Sequence, residues 1–140
     1  MIFLAQTDTT AGFLSKDYKL INLAKKRPIN TSCIITTAYF KELKNLTRIP
    51  NIHKNLVRKA KKTSFLYPNL LAIRVIKDCP HEKFLQKNGW FYSSSANKHH
   101  QAFDEKWAKD IANKIINHKL YESTPSTFIK LTKSKKIKIR

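Results

Sequence analysis

Short apolar runs rich in β-branched residues alternate along the chain with segments whose apolar residues recur at helical spacing. IFLA near the start and LLAIRVI in the middle are typical of buried strands, whereas residues 17–26 and 104–116 have the spacing of amphipathic helices. Strands that alternate with helices indicate an α/β domain, in which helices cover a sheet. The 140 residues contain no internal repeat and no linker. We therefore predict a single α/β domain over residues 1–140 with a mixed sheet.

Residues that cap or break helices set the boundaries in the first part of the chain. Asp17 is placed to start a helix that runs to Lys26, and Pro28 prevents its continuation. One side of this helix is expected to carry the apolar residues Leu20, Ile21, Leu23 and Ala24. Before the helix, QTDTT and Gly12 are predicted to form a polar loop. After it we expect the strand SCIITT and two helices divided by a breaker, Ile49-Pro50.

Similar signals organise the rest of the chain. Pro68-Asn69 separates two apolar runs and predicts a tight antiparallel connection. The next helix starts near Pro80 and ends at Gly89, and the strand WFYSS follows. An apolar stripe makes 104–116 the clearest helix. STFIKLT and KIKIR are predicted strands, and in KIKIR the lysines are expected to point outward and the isoleucines inward.

The charge of the chain indicates partners that are polyanions. Lys and Arg number 28 against 9 acidic residues, for a formal net charge of +19. Such a field attracts nucleic acid or phosphorylated small molecules. RNA is therefore an expected partner, although part of the charge is equally explained as solvated surface.

Several site classes are excluded by what the sequence lacks. Two glycines are too few for the glycine-rich loops that cradle phosphates in Walker and dinucleotide-binding motifs. Cys33 and Cys79 form no C-x-x-C pattern, which favours reduced, packed thiols over a zinc or redox site. No apolar stretch approaches the roughly 20 residues of a membrane span, and the opening MIFLAQTDTT lacks the features of a signal peptide. We therefore expect a cytoplasmic protein with no membrane partner.

Polar side chains cluster where predicted strands end, in QTDTTAGF, AKKRPINT, YSSSAN and TPSTFI. Strand ends form the ligand crevice of open α/β sheets, so these clusters suggest one shared site. Taken singly, each Ser or Thr is more simply explained as a helix cap or a turn residue. The three serines of YSSSAN are nevertheless more than one turn requires.

The order of these clusters resembles the threonylcarbamoyl-AMP synthase family, whose domains are called YrdC-like. Its P-T-D-T-x-Y-G-L motif is similar to residues 6–13, and its K-x-R-P motif to residues 25–28. Its R-V-P strand resembles residues 74–75, and its T-S-A-N motif resembles residues 94–97. The motifs S-T-V-V-D and I-L-R resemble residues 126–130 and 137–140. The resemblance spans essentially the whole chain, and its specificity lies in the joint order of the motifs.

The resemblance implies a twisted, open, mixed sheet flanked by helices, with a concave basic crevice. It also implies a reaction that joins L-threonine, bicarbonate and ATP into threonylcarbamoyl-adenylate and pyrophosphate, for modification of tRNA. Mg²⁺ is expected to accompany ATP. Asp8 is placed either to hold the metal through water or to cap a turn. No dedicated metal-ligand set is predicted in the protein.

Residue roles follow from the same resemblance, position by position. The candidate catalytic residues are Lys25 and Arg27, whose charges would stabilise the triphosphate. The candidate threonine ligands are Thr9, Thr7, Arg74 and Ser126. The candidate nucleotide ligands are Lys25, Arg27, Thr31, Ser95, Asn97 and Arg140. Outside the family context, Lys25 is equally well explained as a solvated cation at a helix end.

The histidines carry no clear assignment. His99 and His100 follow the S-A-N match and indicate an exposed turn more than a metal pair, because Cys and acidic neighbours are absent. His53, His81 and His118 are expected on helix surfaces or ends.

Departures from the family motifs leave alternatives open. Gln6 stands where the family has Pro, and Ala11 where it has Tyr. The chain is therefore either a compact synthase or a catalytically weakened YrdC-like module that binds RNA or assists another protein. Carbamoyl-adenylate chemistry of the hydrogenase-maturation kind is a third reading, and the companion segments found in those proteins are missing from this sequence.

Overall fold

Helices and strands alternate along the chain. The computed structural model of the protein describes residues 1–117 and 119–140, so His118 lies outside the described residues. The helices are Tyr18–Ala24 (α1), Phe40–Leu46 (α2), Lys54–Lys59 (α3), Pro80–Asn88 (α4) and Glu105–Ile111 (α5). The strands are Phe3–Gln6 (β1), Ala11–Ser15 (β2), Ile34–Thr37 (β3), Thr63–Leu66 (β4), Ala72–Val75 (β5), Phe91–Ser95 (β6), Lys114–Ile115 (β7), Thr127–Leu131 (β8) and Lys136–Lys138 (β9).

The chain forms two compact units. The first unit comprises residues 1–33 and 91–125, and the second unit comprises residues 34–90 and 126–140. Each unit has its own strands, helices and buried residues. The predicted single domain over 1–140 stays a prediction.

The strands of the first unit are ordered β7-β1-β2-β6. The pairs β1–β2 and β2–β6 are antiparallel, and β7 runs parallel to β1. On one side, a cluster of buried side chains packs under α1 and α5, with Leu4, Phe13, Ile21 and Ala108 among its members. Phe13 meets Trp107 edge to face, with ring centroids 5.7 Å apart. Burial of these large side chains supplies the main stabilising term of this unit.

The strands of the second unit are ordered β3-β5-β4-β8-β9. Parallel pairs (β3–β5, β4–β8) alternate with antiparallel pairs (β4–β5, β8–β9). The antiparallel β4–β5 pair confirms the connection predicted from Pro68-Asn69. Pro80 opens α4, and Gly89 ends it at a φ of 80°, as the sequence predicts. The α/β class with a mixed sheet flanked by helices is confirmed.

The apolar side predicted for α1 is correct for Leu20, Ile21 and Ala24, which lie in or against the buried cluster, and wrong for Leu23. Leu23 is 64% exposed, whereas Asn22 and Lys25 are buried. Tyr18, Ile21, Asn22 and Lys25 follow one another at helical spacing, so they form the inner face. The buried face of this helix is therefore partly polar, which an apolar pattern does not reveal.

The helix predicted over 104–116 ends early. Asp104 caps α5 by accepting a hydrogen bond from the Trp107 amide at 3.2 Å, but the helix stops at Ile111. The chain then pairs with β1, where Ile116 donates its amide to the Leu4 carbonyl at 2.8 Å. The Asn113 side chain accepts from the Ile2 amide at 2.7 Å. Hydrogen bonding to the edge of β1, whose backbone groups would otherwise be unpaired, therefore outweighs the helical preference of this segment.

Two further strand predictions need correction. Gly12 lies inside β2 and not in the predicted polar loop, because Ala11–Ser15 form a fully buried strand. In the predicted strand KIKIR the isoleucines do not point inward: Ile137 and Ile139 are both exposed.

No helix among the described residues is long and apolar enough to cross a membrane. Cys33 and Cys79 are free thiols, as predicted.

Gly12 is required by close packing in β2. A Cβ at this position would lie 3.1 Å from Thr7 Cγ2 and 3.3 Å from the Ser94 carbonyl oxygen. We expect Gly12→Ala to lower the free energy of unfolding by about 1 to 3 kcal/mol in a urea titration, because the backbone neighbour cannot yield. Adding Thr7→Ser removes the methyl group and should restore part of the loss. Wild-type stability of Gly12→Ala alone would contradict this assignment.

Candidate functional site

Ser94 and Ser95 of β6, which we call the serine row, hold the buried end of Lys25. Lys25 is the residue that follows α1. Its Nζ donates to Ser94 Oγ at 3.0 Å and to the Ser95 carbonyl at 2.8 Å. It also lies 3.5 Å from Ser95 Oγ. A buried ammonium is costly unless its donors are paired, and these oxygens provide the partners. A turn does not require so many serines, and Ser94 and Ser95 are thus explained as the hydrogen-bond partners of the buried Lys25 ammonium.

The charge of Lys25 is sensitive to pH near neutrality. Burial, together with the positive charge of Arg27, lowers the pKa of Lys25 to about 8. The residue remains mainly protonated at pH 7 and becomes neutral above pH 8. Lys25 is therefore not the solvated helix-end cation of the simpler explanation.

Arg27 is fixed by the loop that follows α1. Its Nε donates to Asn22 Oδ1 at 2.7 Å, and its Nη2 lies 3.2 Å from Cys33 Sγ. The Asn22 amide also donates to the carbonyls of Ile29 and Thr31, at 2.8 and 2.9 Å. Burial raises the pKa of the Cys33 thiol, so the sulfur next to Arg27 stays protonated. Asn22 thus ties the helix, the loop and the guanidinium into one arrangement.

Asn97 organises the turn after β6. Ser95 Oγ donates to Asn97 Oδ1, and the Asn97 amide donates to the carbonyls of Lys98 and Gln101. Ser95 and Asn97 line a cavity of about 240 Å³, together with Thr10 and Glu122. His99 and His100 lie in this turn and are exposed, as predicted. Among the described residues, no group of three or more His, Cys, Asp or Glu side chains is placed to hold a metal ion.

The loop between β1 and β2 is held by its own side chains. Thr7 Oγ1 donates to the Thr10 carbonyl at 2.7 Å and accepts from the Thr9 amide at 3.1 Å. Thr9 Oγ1 lies 3.3 Å from Thr7 Oγ1. Gln6 donates to the Thr9 carbonyl at 3.0 Å and accepts from the Tyr121 amide at 2.9 Å. The hydroxyl of Thr7 is thus committed to the loop, which makes Thr9 the better candidate for a ligand contact.

In the second unit, Arg140 and Ser126 are brought together. Arg140 Nε donates to the Ser126 carbonyl at 2.9 Å, and its Nη2 donates to Ser126 Oγ at 3.2 Å. Ser126 Oγ is also 2.9 Å from Ser64 Oγ, and both serines are buried. Two residues predicted to contact different substrates are therefore joined by hydrogen bonds.

Arg74 lies within a buried polar row of the same unit. Thr36 and Ser64 are its register partners on the neighbouring strands, so the three side chains share one face. His81 of α4 is also buried, and burial together with the charge of Arg74 lowers its pKa to about 4. His53 is buried as well, and its Nε2 is hydrogen-bonded to the Thr132 carbonyl at 2.9 Å. Both histidines lie at helix ends, as the sequence predicts, and both are buried there.

Three residues near these groups were missed from the sequence. Asn22 holds Arg27, Ser94 holds Lys25, and Ser64 holds Ser126. A polar residue inside an apolar run is the available signal, and for Asn22 it lies in LINLA. Thr31 lies at the surface end of the Asn22 network, where its hydroxyl donates to the Pro28 carbonyl at 2.6 Å. The candidate residues of the first unit are Thr7, Thr9, Lys25, Arg27, Thr31, Ser95 and Asn97, and those of the second unit are Arg74, Ser126 and Arg140.

The fold is similar to that of several solved proteins. Two structures of P. abyssi Sua5, one of them a substituted form and one complexed with L-threonine, match with TM-scores of 0.82 and 0.78 and identities of 21% and 20%. E. coli YciO matches with a TM-score of 0.78 and 16% identity, covering 99% of this chain and 82% of that one. Full-length HypF in a phosphate- and nucleotide-bound form matches with a TM-score of 0.75 and 12% identity, covering 99% of this chain and 26% of that one.

These similarities establish the fold. The chain is covered to 99% by both Sua5 structures and spans about half of their length, 52% and 49%. No protein-family profile matches the sequence, and no curated protein matches it. The resemblance to YrdC-like domains is confirmed at the level of the fold shared with Sua5 and YciO.

Proposed function

We propose that the chain is a short, divergent threonylcarbamoyl-AMP synthase. It would form threonylcarbamoyl-adenylate and pyrophosphate from L-threonine, bicarbonate and ATP, and so supply the modification of tRNA. The observation that carries the proposal is the fold shared with Sua5, a protein solved with L-threonine, over nearly the whole chain. The similarity to nucleotide-bound HypF supports the nucleotide half of the reaction.

The chemistry requires positioning and charge stabilisation, and it needs no side-chain nucleophile. A carbamate oxygen attacks the α-phosphorus of ATP, and pyrophosphate leaves with additional negative charge. Arg27 suits the leaving group because Asn22 and Cys33 hold it from one side, while the rest of its fork stays available for phosphate oxygens. Lys25 adds a second positive charge from within the serine row.

The remaining contacts are proposed from the resemblance to YrdC-like domains and from the chemistry of the side chains. In the cavity of Ser95 and Asn97, the Glu122 carboxylate disfavours a phosphate and suits the hydroxyls of a ribose. In the first unit, Thr9, with Thr7 as the weaker candidate, would supply hydroxyls for threonine, and Thr31 would contact the nucleotide. In the second unit, Ser126 and Arg74 are candidate threonine ligands, Arg74 for the carboxylate, and Arg140 is a candidate nucleotide ligand.

Mg²⁺ would enter with the triphosphate. Magnesium sites of this kind use one or two carboxylates together with substrate phosphates. Asp8, the one acidic residue of the 6–13 motif, fits such a contact through water. The metal would neutralise charge on the triphosphate, and the residues named above would orient it.

Pyrophosphate release measures turnover but does not identify the product. The mass of the adenylate identifies the acid that is activated. Incubation of the chain with ATP, threonine and ¹³C-bicarbonate should give an adenylate whose mass rises by the one labelled carbon. An adenylate without the label would show that another acid is activated. Absence of any adenylate would leave a YrdC-like binding module.

The pKa of Lys25 makes ATP binding dependent on pH. The ammonium is charged below pH 8 and neutral above it, so its contribution to binding is present at pH 7.5 and lost at pH 9.5. We expect calorimetric affinity for ATP to fall about tenfold over this interval, as for loss of a charged hydrogen bond. Lys25→Gln should bind weakly and show no such step. An equal step in that variant would assign the pH dependence to another group.

RNA binding is the second candidate function, and the excess of 28 Lys and Arg over 9 acidic residues favours it. Contacts to a phosphate backbone release counterions, so affinity falls as salt rises. We expect the affinity for tRNA to drop by at least tenfold between about 50 and 200 mM salt, as measured by fluorescence anisotropy. An affinity that is flat in salt would exclude backbone contact as the basis of binding.

A further inference from the structure

A cavity of about 730 Å³ opens in the second unit beside α2, α3 and the loop that joins them. None of the residues that line it belongs to the proposed synthase site. We call it the α2–α3 pocket and define it by Lys44, Thr47, Arg48, Ile49, Lys54 and Arg58. Its size lies within the range of small-ligand sites and exceeds what a single inorganic phosphate requires.

The wall of the α2–α3 pocket is strongly basic. Lys44, Arg48, Lys54 and Arg58 line it, and no acidic side chain is among the lining residues. Two nearby acids are engaged elsewhere. Glu42 of α2 accepts a hydrogen bond from Thr37 Oγ1 at 2.6 Å, and Asp78 pairs with Lys61 at 2.8 Å. Four cations without counter-charge repel one another, and an anionic ligand would relieve that repulsion.

Another part of the wall is apolar. Phe40, Leu46 and Ile49 contribute to the lining of the pocket. Lys77 Nζ stands 4.8 Å from the centre of the Phe40 ring, which brings a fifth cation close to this wall. A ligand that fits both parts carries a negative group and an apolar, planar group.

Thr47 provides an independent sign of a ligand. This lining residue is only 7% exposed, and its Oγ1 has no hydrogen-bond partner among the described residues. Its backbone amide, in contrast, donates to the Leu43 carbonyl at 3.0 Å. A buried hydroxyl without a partner is unfavourable, and a polar ligand atom in the pocket can supply the missing partner.

We propose that the α2–α3 pocket binds a nucleoside phosphate. The basic residues hold the phosphate, and the apolar wall accommodates the base. The proposal goes beyond the synthase reaction, because this pocket and the proposed synthase residues share no side chain. The nucleotide is supplied either as a free mononucleotide or as one unit of an RNA strand.

Methyl NMR of the full chain tests the proposal with AMP as the probe. AMP should shift the methyl signals of Leu46, Thr47 and Ile49, whereas adenosine, which lacks the phosphate, should bind at least tenfold more weakly. Arg48→Gln/Arg58→Gln should weaken AMP binding at these signals by at least tenfold. Lys133→Gln/Lys135→Gln removes the same charge from the exposed β8–β9 turn and should leave AMP binding there within twofold of wild type.

A short single-stranded RNA identifies the source of the nucleotide. If the RNA shifts the same methyl signals and displaces AMP, the pocket takes a strand; if AMP alone shifts them, it takes a free nucleotide. Either result supports the pocket. The proposal is overturned if AMP leaves these methyls unmoved, if adenosine binds as well as AMP, or if the two double variants behave alike.

The same variants separate this proposal from the proposed synthase function. Arg48→Gln/Arg58→Gln should keep wild-type threonine-dependent pyrophosphate release, because these residues lie outside the synthase site. Arg27→Ala should lose that release and still show the AMP shifts at Thr47. If the wild-type chain releases no pyrophosphate but shows the AMP shifts, the synthase function is excluded and the α2–α3 pocket is supported. If it releases pyrophosphate but shows no AMP shifts, only the pocket is excluded.

Discussion

Arg27→Ala is expected to lower threonine-dependent turnover by about 10²-fold or more, and Lys25→Ala to have an effect of similar size. Both residues would stabilise charge that develops on the leaving pyrophosphate, and that charge is absent from the ground state. The loss should therefore fall mainly on kcat. Steady-state kinetics of pyrophosphate release, together with circular dichroism to verify folding, provides the measurement.

Lys19→Ala is the matched control for these variants. Lys19 is an exposed cation of α1, so its removal changes the net charge as the other substitutions do without touching the serine row. It should retain turnover within about twofold, as is usual for surface substitutions. Near-normal turnover of a folded Arg27→Ala variant would remove Arg27 from the catalytic residues.

Asn22→Leu is expected to lower the free energy of unfolding by about 2 to 4 kcal/mol. Leucine matches the size of Asn22 but leaves the carbonyls of Ile29 and Thr31 and the Nε of Arg27 without their partners. Each group left unpaired in a partly buried place costs stability, and the bond to the guanidinium is charge-assisted. Urea unfolding followed by fluorescence measures the loss.

Asn30→Leu makes the same chemical change at an exposed position of the same loop. It should alter stability by less than about 0.5 kcal/mol. If Asn22→Leu were equally mild, the buried amide would not be what holds the loop of Arg27. Because Asn22 positions Arg27, turnover of any folded Asn22→Leu protein should fall in kcat more than in KM.

The α1 helix shows both what the sequence predicts and where it fails. Asp17 caps the helix through a 2.9 Å bond to the Lys19 amide, as the residue type suggests. The buried face was predicted from apolar residues alone, and Leu23 was placed on it wrongly. Asn22 and Lys25 occupy that face because the serine row and the loop carbonyls satisfy them. Polar residues in a buried site run against the local hydrophobic pattern, so the pattern fails at the candidate site.

The predictions for two short strands, β7 and β2, failed for a different reason. Ile115 and Ile116 continue the apolar stripe of α5 in the sequence, yet Lys114 and Ile115 form a strand because they pair with β1. Gly12 was assigned to the polar loop QTDTT, yet it lies in the interior of β2, where a Cβ would approach Thr7 to 3.1 Å. Contacts between distant segments decide both cases, and single-sequence periodicity contains no information on them.

The sequence predicts those parts of the candidate site whose residues lie close together in one motif. Lys25 and the serines of β6 are 69 and 70 residues apart, and their contact was not predicted; the resemblance to YrdC-like domains only assigned Lys25 and Ser95 to the same nucleotide site. The spacing of Lys25 and Arg27 was readable directly, but the partners that hold them, Asn22 and Ser94, were not.

Pyrophosphate release with ATP, bicarbonate and threonine, omitting one substrate at a time, tests the central claim most directly. The proposed synthase releases pyrophosphate only when all three are present, and the rate falls to background when threonine alone is left out. Release that does not depend on threonine, or none under any condition from a folded chain, would contradict it.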